Sequence, residues 1–87
     1  MFWVYILYSP SSKKSYTGFT SNLEARLLSH NELGIKGYTV KFRPWILLLK
    51  EEYFIKSEAM YREKYFKSGI GRNEIKILIE EFKSKFK

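Results

Sequence analysis

The sequence has no cysteine, no aspartate and a single histidine, His30. Without cysteine there is no thiol nucleophile, disulfide, iron–sulfur cluster or zinc finger. Without aspartate there is no Ser-His-Asp triad, and one histidine cannot build a multi-histidine metal site. All nine acids are glutamate. A metal site must therefore combine glutamate with backbone or hydroxyl oxygens and water, which suits hard cations such as Mg²⁺. Long apolar runs are missing too. Phe2–Leu7 and Trp45–Leu49 fall far short of the ~20 residues of a membrane-spanning helix. No basic segment precedes the first run, so a signal peptide is not expected. These absences predict a soluble, cytoplasmic protein with no membrane partner.

What is present is positive charge and aromatic bulk. The chain of 87 residues reads as one domain. Its 45% hydrophobic content, with 18% aromatics, supports a modest core and argues against disorder. Sixteen Lys and Arg against nine Glu leave a net charge of +7, with a pI of about 9.7. The excess is uneven. Residues 1–50 carry seven basic and two acidic residues, net +5; residues 51–87 carry nine and seven, net +2. Such an excess concentrates polyanions near the surface, so nucleic acid is the expected partner.

Periodicity places the elements. Phe2–Tyr8 has no polar break and predicts a strand buried on both faces. Ser9–Lys14 is a turn cluster, and Ser15–Thr20 completes an antiparallel hairpin. Gly18 inside the second strand suggests a close approach to the backbone. Ser21 with Glu24 fits a capping box opening a helix to about His30, with Leu23 and Leu27 on one face. Asn31–Pro44 reads as a basic loop around Gly34 and Gly37. Trp45–Phe54 begins as a central-type strand. Ser57 is the expected cap of a second helix ending near Ser68, with Gly69 as its stop. Asn73 is the expected cap of a third, whose Ile75, Leu78, Ile79, Phe82 and Phe86 follow helical spacing. The order β-β-α-β-α-α implies an α+β fold, a small sheet with helices packed on it.

Several residues fit a packing account poorly. Tyr5 and Tyr16, eleven positions apart, fall opposite or nearly opposite each other across the hairpin, with Gly18 leaving space beside them. They read either as core tyrosines or as paired hydroxyls. Arg26 and His30 share a helix face, which is either solvated or functional. Glu63 interrupts an apolar stripe of Ala59, Phe66 and Ile70. It is either the partner of Lys67 one turn on or a metal ligand, because an isolated buried carboxylate is costly. Together these groups suit phosphodiester cleavage. A hydroxyl handles a proton, a guanidinium stabilises phosphate charge, and one carboxylate holds a cation that keeps several waters.

The ordered set Val4-Tyr5-Ile6-Leu7, Tyr16-Thr17-Gly18, Arg26 and Glu63 resembles the motif series of the GIY-YIG nuclease domain. Asn22-Leu23, His30, Tyr38-Thr39, Pro44, Ala59 and Glu63-x-x-Phe66-Lys67 extend the likeness from Phe2 to about Ile79. The short length resembles the small stand-alone members. The resemblance implies a three-stranded antiparallel sheet flanked by helices, and hydrolysis of DNA by a metal-dependent endonuclease. In that reading Tyr16 is the base or water-orienting hydroxyl, with Tyr5 beside it. Arg26 contacts the scissile phosphate, His30 relays a proton, and Glu63 binds one Mg²⁺ or Mn²⁺. Gly18, Lys41, Arg43 and Lys67 are the expected nucleic-acid contacts. A targeting protein partner or a homodimer is left open. The alternative is a non-catalytic nucleic-acid-binding module of the same fold, which has no need of Glu63 facing a polyanion. Two departures stand out. Trp3-Val4 replaces the name-giving Gly-Ile. Phe19 stands where several active members place a Lys, leaving that role to Lys67 or Arg43.

Overall fold

The computed structural model describes residues 1–33 and 41–85. Gly34, Gly37, the Tyr38-Thr39 pair and Phe86 lie outside the described residues. Three strands, β1 (Phe2–Ser9), β2 (Lys14–Thr20) and β3 (Ile46–Tyr53), form one antiparallel sheet in the order β2-β1-β3. Helix α1 (Leu23–Leu28) runs into a π-helical turn (Ser29–Leu33), and α2 (Lys56–Phe66) is followed by α3 (Gly69–Lys85). The α+β class, the antiparallel sheet and the element order are those expected from the sequence.

The sheet separates two apolar clusters because side chains alternate across a strand. Val4 and Ile6 pack with Ala59 and Phe66 of α2 and Ile75 of α3. Tyr5 and Leu7 point the other way, toward Trp45, Leu23 and Leu27. Val4 to Leu7 are fully buried, as the unbroken apolar run predicts for a central strand.

β3 corrects one expectation. It is an edge strand, alternately exposed, and not a central one. Its leucine run serves both faces through a bulge. Ile6 pairs with Leu49 but Leu7 pairs with Leu47, leaving Leu48 as the extra residue. Leu47 therefore joins one cluster while Leu48 and Leu49 join the other.

The helix starts also differ from expectation. Asn22, not Ser21, caps α1, its side chain accepting from the Ala25 amide at 3.2 Å. α2 opens after Ile55 with no side-chain cap, so Ser57 lies inside it. Gly69 begins α3 rather than ending α2, and Asn73 lies in the helix interior. The Ser68 hydroxyl instead accepts from the Gly71 amide at 3.3 Å. A Cβ on Gly71 would collide with the backbone of Tyr65 and Phe66, so glycine lets α3 start directly against the end of α2.

One polar network fastens α2 between the sheet and α3. The Arg62 guanidinium donates to both carboxylate oxygens of Glu51 on β3, at 2.8 and 3.2 Å, and reaches Glu74 of α3 at 3.5 Å. Tyr53 donates to Glu51 at 2.8 Å and Tyr65 to Glu74 at 2.7 Å. Burial pushes the Glu51 carboxyl up, but Arg62 and Tyr53 outweigh it and hold the group below its ordinary value. The guanidinium also lies over the rings of Tyr65 and Phe66. Arg62 immediately precedes Glu63, so this network orients the turn of helix that carries the expected metal ligand.

Candidate active site

The site begins on β1. Tyr5 pairs directly with Gly18 of β2, and Tyr16 pairs with Leu7. The two tyrosines are therefore diagonal neighbours on one face, with ring centroids 6.2 Å apart. Gly18 does not leave an empty gap. A Cβ there would stand 2.6 Å from the Tyr5 hydroxyl, so the ring already fills that space. Glycine thus lets a phenol rooted in the central strand place its hydroxyl above the edge strand.

That hydroxyl meets His30. Tyr5 Oη and His30 Nε2 are 2.8 Å apart, both residues buried. Burial raises the Tyr5 pKa, the Arg26 hydrogen bond opposes the rise, and Tyr16 and Glu63 add to it. Burial also lowers the His30 pKa below its ordinary 6.5, helped by the Arg26 and Arg43 cations. At neutral pH the phenol is protonated and the imidazole neutral. The phenol therefore donates and Nε2 accepts, which puts the imidazole proton on Nδ1. The Tyr16 ring lies 4.9 Å from the His30 ring, centroid to centroid.

The π-helical turn that carries His30 is pinned from two sides. Arg43 donates from Nε to the His30 carbonyl at 2.6 Å and from a terminal nitrogen to the Ser29 carbonyl at 2.9 Å. Asn31 exchanges two hydrogen bonds with the Trp45 backbone, at 3.2 and 2.7 Å. These contacts answer the unpaired carbonyls at a helix end. Arg43, expected on the nucleic acid, is thus at least a clasp behind His30. Asn31 carries no motif signal, and its neighbour role is visible only in three dimensions.

Arg26 is exposed on α1, and its pKa is raised by its hydrogen bond to Tyr5, with Tyr16 contributing. Glu63 comes from the layer on the other side of the sheet. α2 packs beneath β1 and β2, and the Tyr5 hydroxyl lies above Gly18 of the edge strand. Tyr5, Tyr16 and His30 thus meet on one face with Arg26 beside them, while Glu63 stands on α2 in the layer beneath.

The remaining expected contacts are more dispersed. The Lys67 ammonium lies 3.5 Å from the Glu63 carboxylate, so the ordinary helix pair does form. Lys41 is exposed, next to Phe42, whose ring faces the Lys14 ammonium at 5.9 Å. Phe19 pairs with Val4 on the opposite face and packs against the Val4–Phe66 cluster. That position is a core position in this chain. Ile70 is 73% exposed and drops out of the stripe expected with Ala59 and Phe66.

The donor set fits one hard cation. Glu63 is about one-fifth exposed at its side chain, a hard oxygen donor of the kind that holds Mg²⁺ together with water and substrate oxygens. Among the described residues no three His or Glu side chains gather into a cage. Such a cation would therefore rest on one protein carboxylate, water and substrate.

The profile of the GIY-YIG catalytic domain matches residues 1–76. A UPF0213 protein of Staphylococcus haemolyticus is 40% identical over 65 residues, covering 75% of this chain and 79% of that protein. A UPF0213 protein of Limosilactobacillus reuteri is 35% identical over 81 residues, covering 91% of this chain and 83% of its own length. The solution NMR structure of a UPF0213 protein from Bacillus halodurans superposes with a TM-score of 0.53 at 26% identity. It covers 90% of this chain and 85% of its own. With that profile matched over residues 1–76 and relatives at 35–40% identity across most of their length, this chain belongs to the GIY-YIG family of nuclease domains.

Proposed function

We propose that the chain is an endonuclease that hydrolyses phosphodiester bonds of DNA with one Mg²⁺ or Mn²⁺ ion. The observation that supports this most is the cluster of Tyr5, Tyr16 and His30 on one sheet face, with the Tyr5 hydroxyl 2.8 Å from His30 Nε2 and the Tyr16 ring 4.9 Å from the His30 ring. A module that only bound polyanions would have no need of a carboxylate such as Glu63 beside that cluster.

Each residue then has a task. The exposed Arg26 guanidinium takes the non-bridging oxygens of the scissile phosphate and stabilises the charge that grows on them. Tyr16, half-buried where Tyr5 is fully buried, is the hydroxyl that substrate and water reach. Its hydroxyl orients the attacking water and takes its proton while releasing its own toward His30, as the water oxygen bonds to phosphorus, the opposite P–O bond breaks and the leaving oxygen is protonated from solvent. His30, neutral, receives that proton at Nε2, where it otherwise accepts from Tyr5, and releases it to solvent. Tyr5, protonated, serves as the donor that fixes the imidazole rather than as the base. Glu63 would hold the divalent cation, which supplies charge stabilisation for the leaving oxygen. Lys67 and Lys41 are the outlying phosphate contacts. Their share of affinity depends on counterion release and weakens steeply with salt.

The test is a cleavage screen over duplex, single-stranded, flapped and branched DNA, with matching RNA, in Mg²⁺ or Mn²⁺. Cleavage that a chelator stops is the expected result. Salt-sensitive binding without cleavage of any substrate would favour the non-catalytic binding module instead.

A further inference from the structure

We propose that Trp3, Lys50 and the turn leading into α1 form a subsite for an unpaired nucleobase and its phosphate, one nucleotide from the scissile bond. This rests on the nuclease reading and names where that substrate strand runs. Trp3 stands two residues before Tyr5 on β1, so both point to the same face, about 7 Å apart along the strand. Lys50 is the direct β3 partner of Tyr5. Its ammonium lies 5.8 Å from the centre of the Trp3 ring. Trp3 and Lys50 form one wall of a cavity of about 370 Å³, and Ser21, Asn22, Leu23 and Glu24 form the other.

The chemistry of that cavity matches one nucleotide. An indole that is only partly buried offers a stacking platform for any base. The ammonium is at the outer limit of a cation–π contact. An incoming base can therefore replace it on the ring while it moves to the adjoining phosphate. Glu24 offers an acceptor for exocyclic amino groups. Glu52, the cross-strand neighbour of Trp3, keeps the phosphate on the Lys50 side. A base paired within a duplex cannot present its face to the indole, so the subsite selects single-stranded, flapped or frayed substrates.

The chain has two tryptophans, and Trp45 is 5% exposed, so the fluorescence accessible to acrylamide belongs to Trp3. Single-stranded oligodeoxythymidylate is titrated into wild-type protein in chelator, with binding followed independently by anisotropy of a labelled oligonucleotide. Binding should quench the accessible emission and shield it from acrylamide. Trp3→Leu should raise KM roughly ten-fold and leave kcat within about two-fold. Trp3→Phe, which keeps an aromatic face, should recover part of the loss. If the oligonucleotide binds and wild-type protein cleaves while the Trp3 emission stays unchanged, the subsite is wrong and the nuclease reading stands. If nothing binds and nothing is cleaved, both fall.

Discussion

The Tyr5 hydroxyl and the His30 imidazole stand 2.8 Å apart, joined from positions 25 residues distant in sequence. The bond connects the central strand to the π-helical turn, and the phenol donates it while the imidazole is neutral at Nε2. Acid should weaken the fold here, because burial penalises the charged imidazole. The native pKa of His30 is lowered below the 6.5 of an unperturbed imidazole. Between those two values the unfolded chain binds a proton that the native chain does not, so stability falls as pH drops through that window. Thermal unfolding of wild type from pH 7.5 downward should show the loss beginning near pH 6.5. His30→Gln should flatten that part of the profile. An unchanged slope in the variant would assign the acid sensitivity to other groups.

Gly18 is the other half of the same arrangement. A methyl group placed there must displace a buried, rigid phenol, and overpacking of this kind costs about 1–3 kcal/mol. Gly18→Ala should lower the melting temperature and turnover together. Gly69→Ala, with nothing within 4 Å of the added Cβ, should alter neither by a comparable amount. Comparable losses in the two variants would contradict the packing account.

Arg26 is exposed and belongs to a short helix with no buried residue, so its removal should be structurally mild. Arg26→Ala is expected to change stability by less than about 0.5 kcal/mol. Cleavage should fall by roughly 10²–10³. A collapse of thermal stability would make Arg26 a structural residue instead.

Much of this was legible in the sequence, and for identifiable reasons. The run from Phe2 to Tyr8 is apolar throughout because β1 is covered on both faces, so its place needs no tertiary information. The tyrosine spacing survives as a signal because a hairpin turns sequence distance into proximity. Its register was not legible. The turn sets Tyr5 against Gly18 rather than Tyr16, and one turn residue, Lys13, has a positive φ of 55°. The helix starts escaped because Ser57 and Asn73 are good caps that tertiary packing leaves unused. The clasp made by Arg43 escaped because its acceptors are carbonyls 13 and 14 residues away, which no local pattern shows.

Arg62 makes a prediction about stability. It ties β3, α2 and α3 through Glu51 and Glu74. Arg62→Met should cost about 1.5–3 kcal/mol at pH 7, the range for hydrogen bonds to charged groups. The native pKa of Glu51 lies below its ordinary 4.5, so this contribution is present above that value. It is lost as pH falls through the lowered one. Denaturant unfolding of wild type and variant should therefore differ at pH 7 and converge in acid. A difference that persists at low pH would place the effect in packing of the guanidinium over Tyr65 and Phe66.

The central claim is that a carboxylate facing a polyanion holds a catalytic cation, and Glu63→Gln tests it most directly. The variant and wild type should be compared for Mg²⁺- or Mn²⁺-supported cleavage of one substrate, with DNA binding measured in chelator. The account predicts cleavage reduced by orders of magnitude. It also predicts DNA binding in chelator at least as tight, since a charge that repels phosphate has been removed. Metal-supported cleavage at the wild-type rate in Glu63→Gln would contradict it.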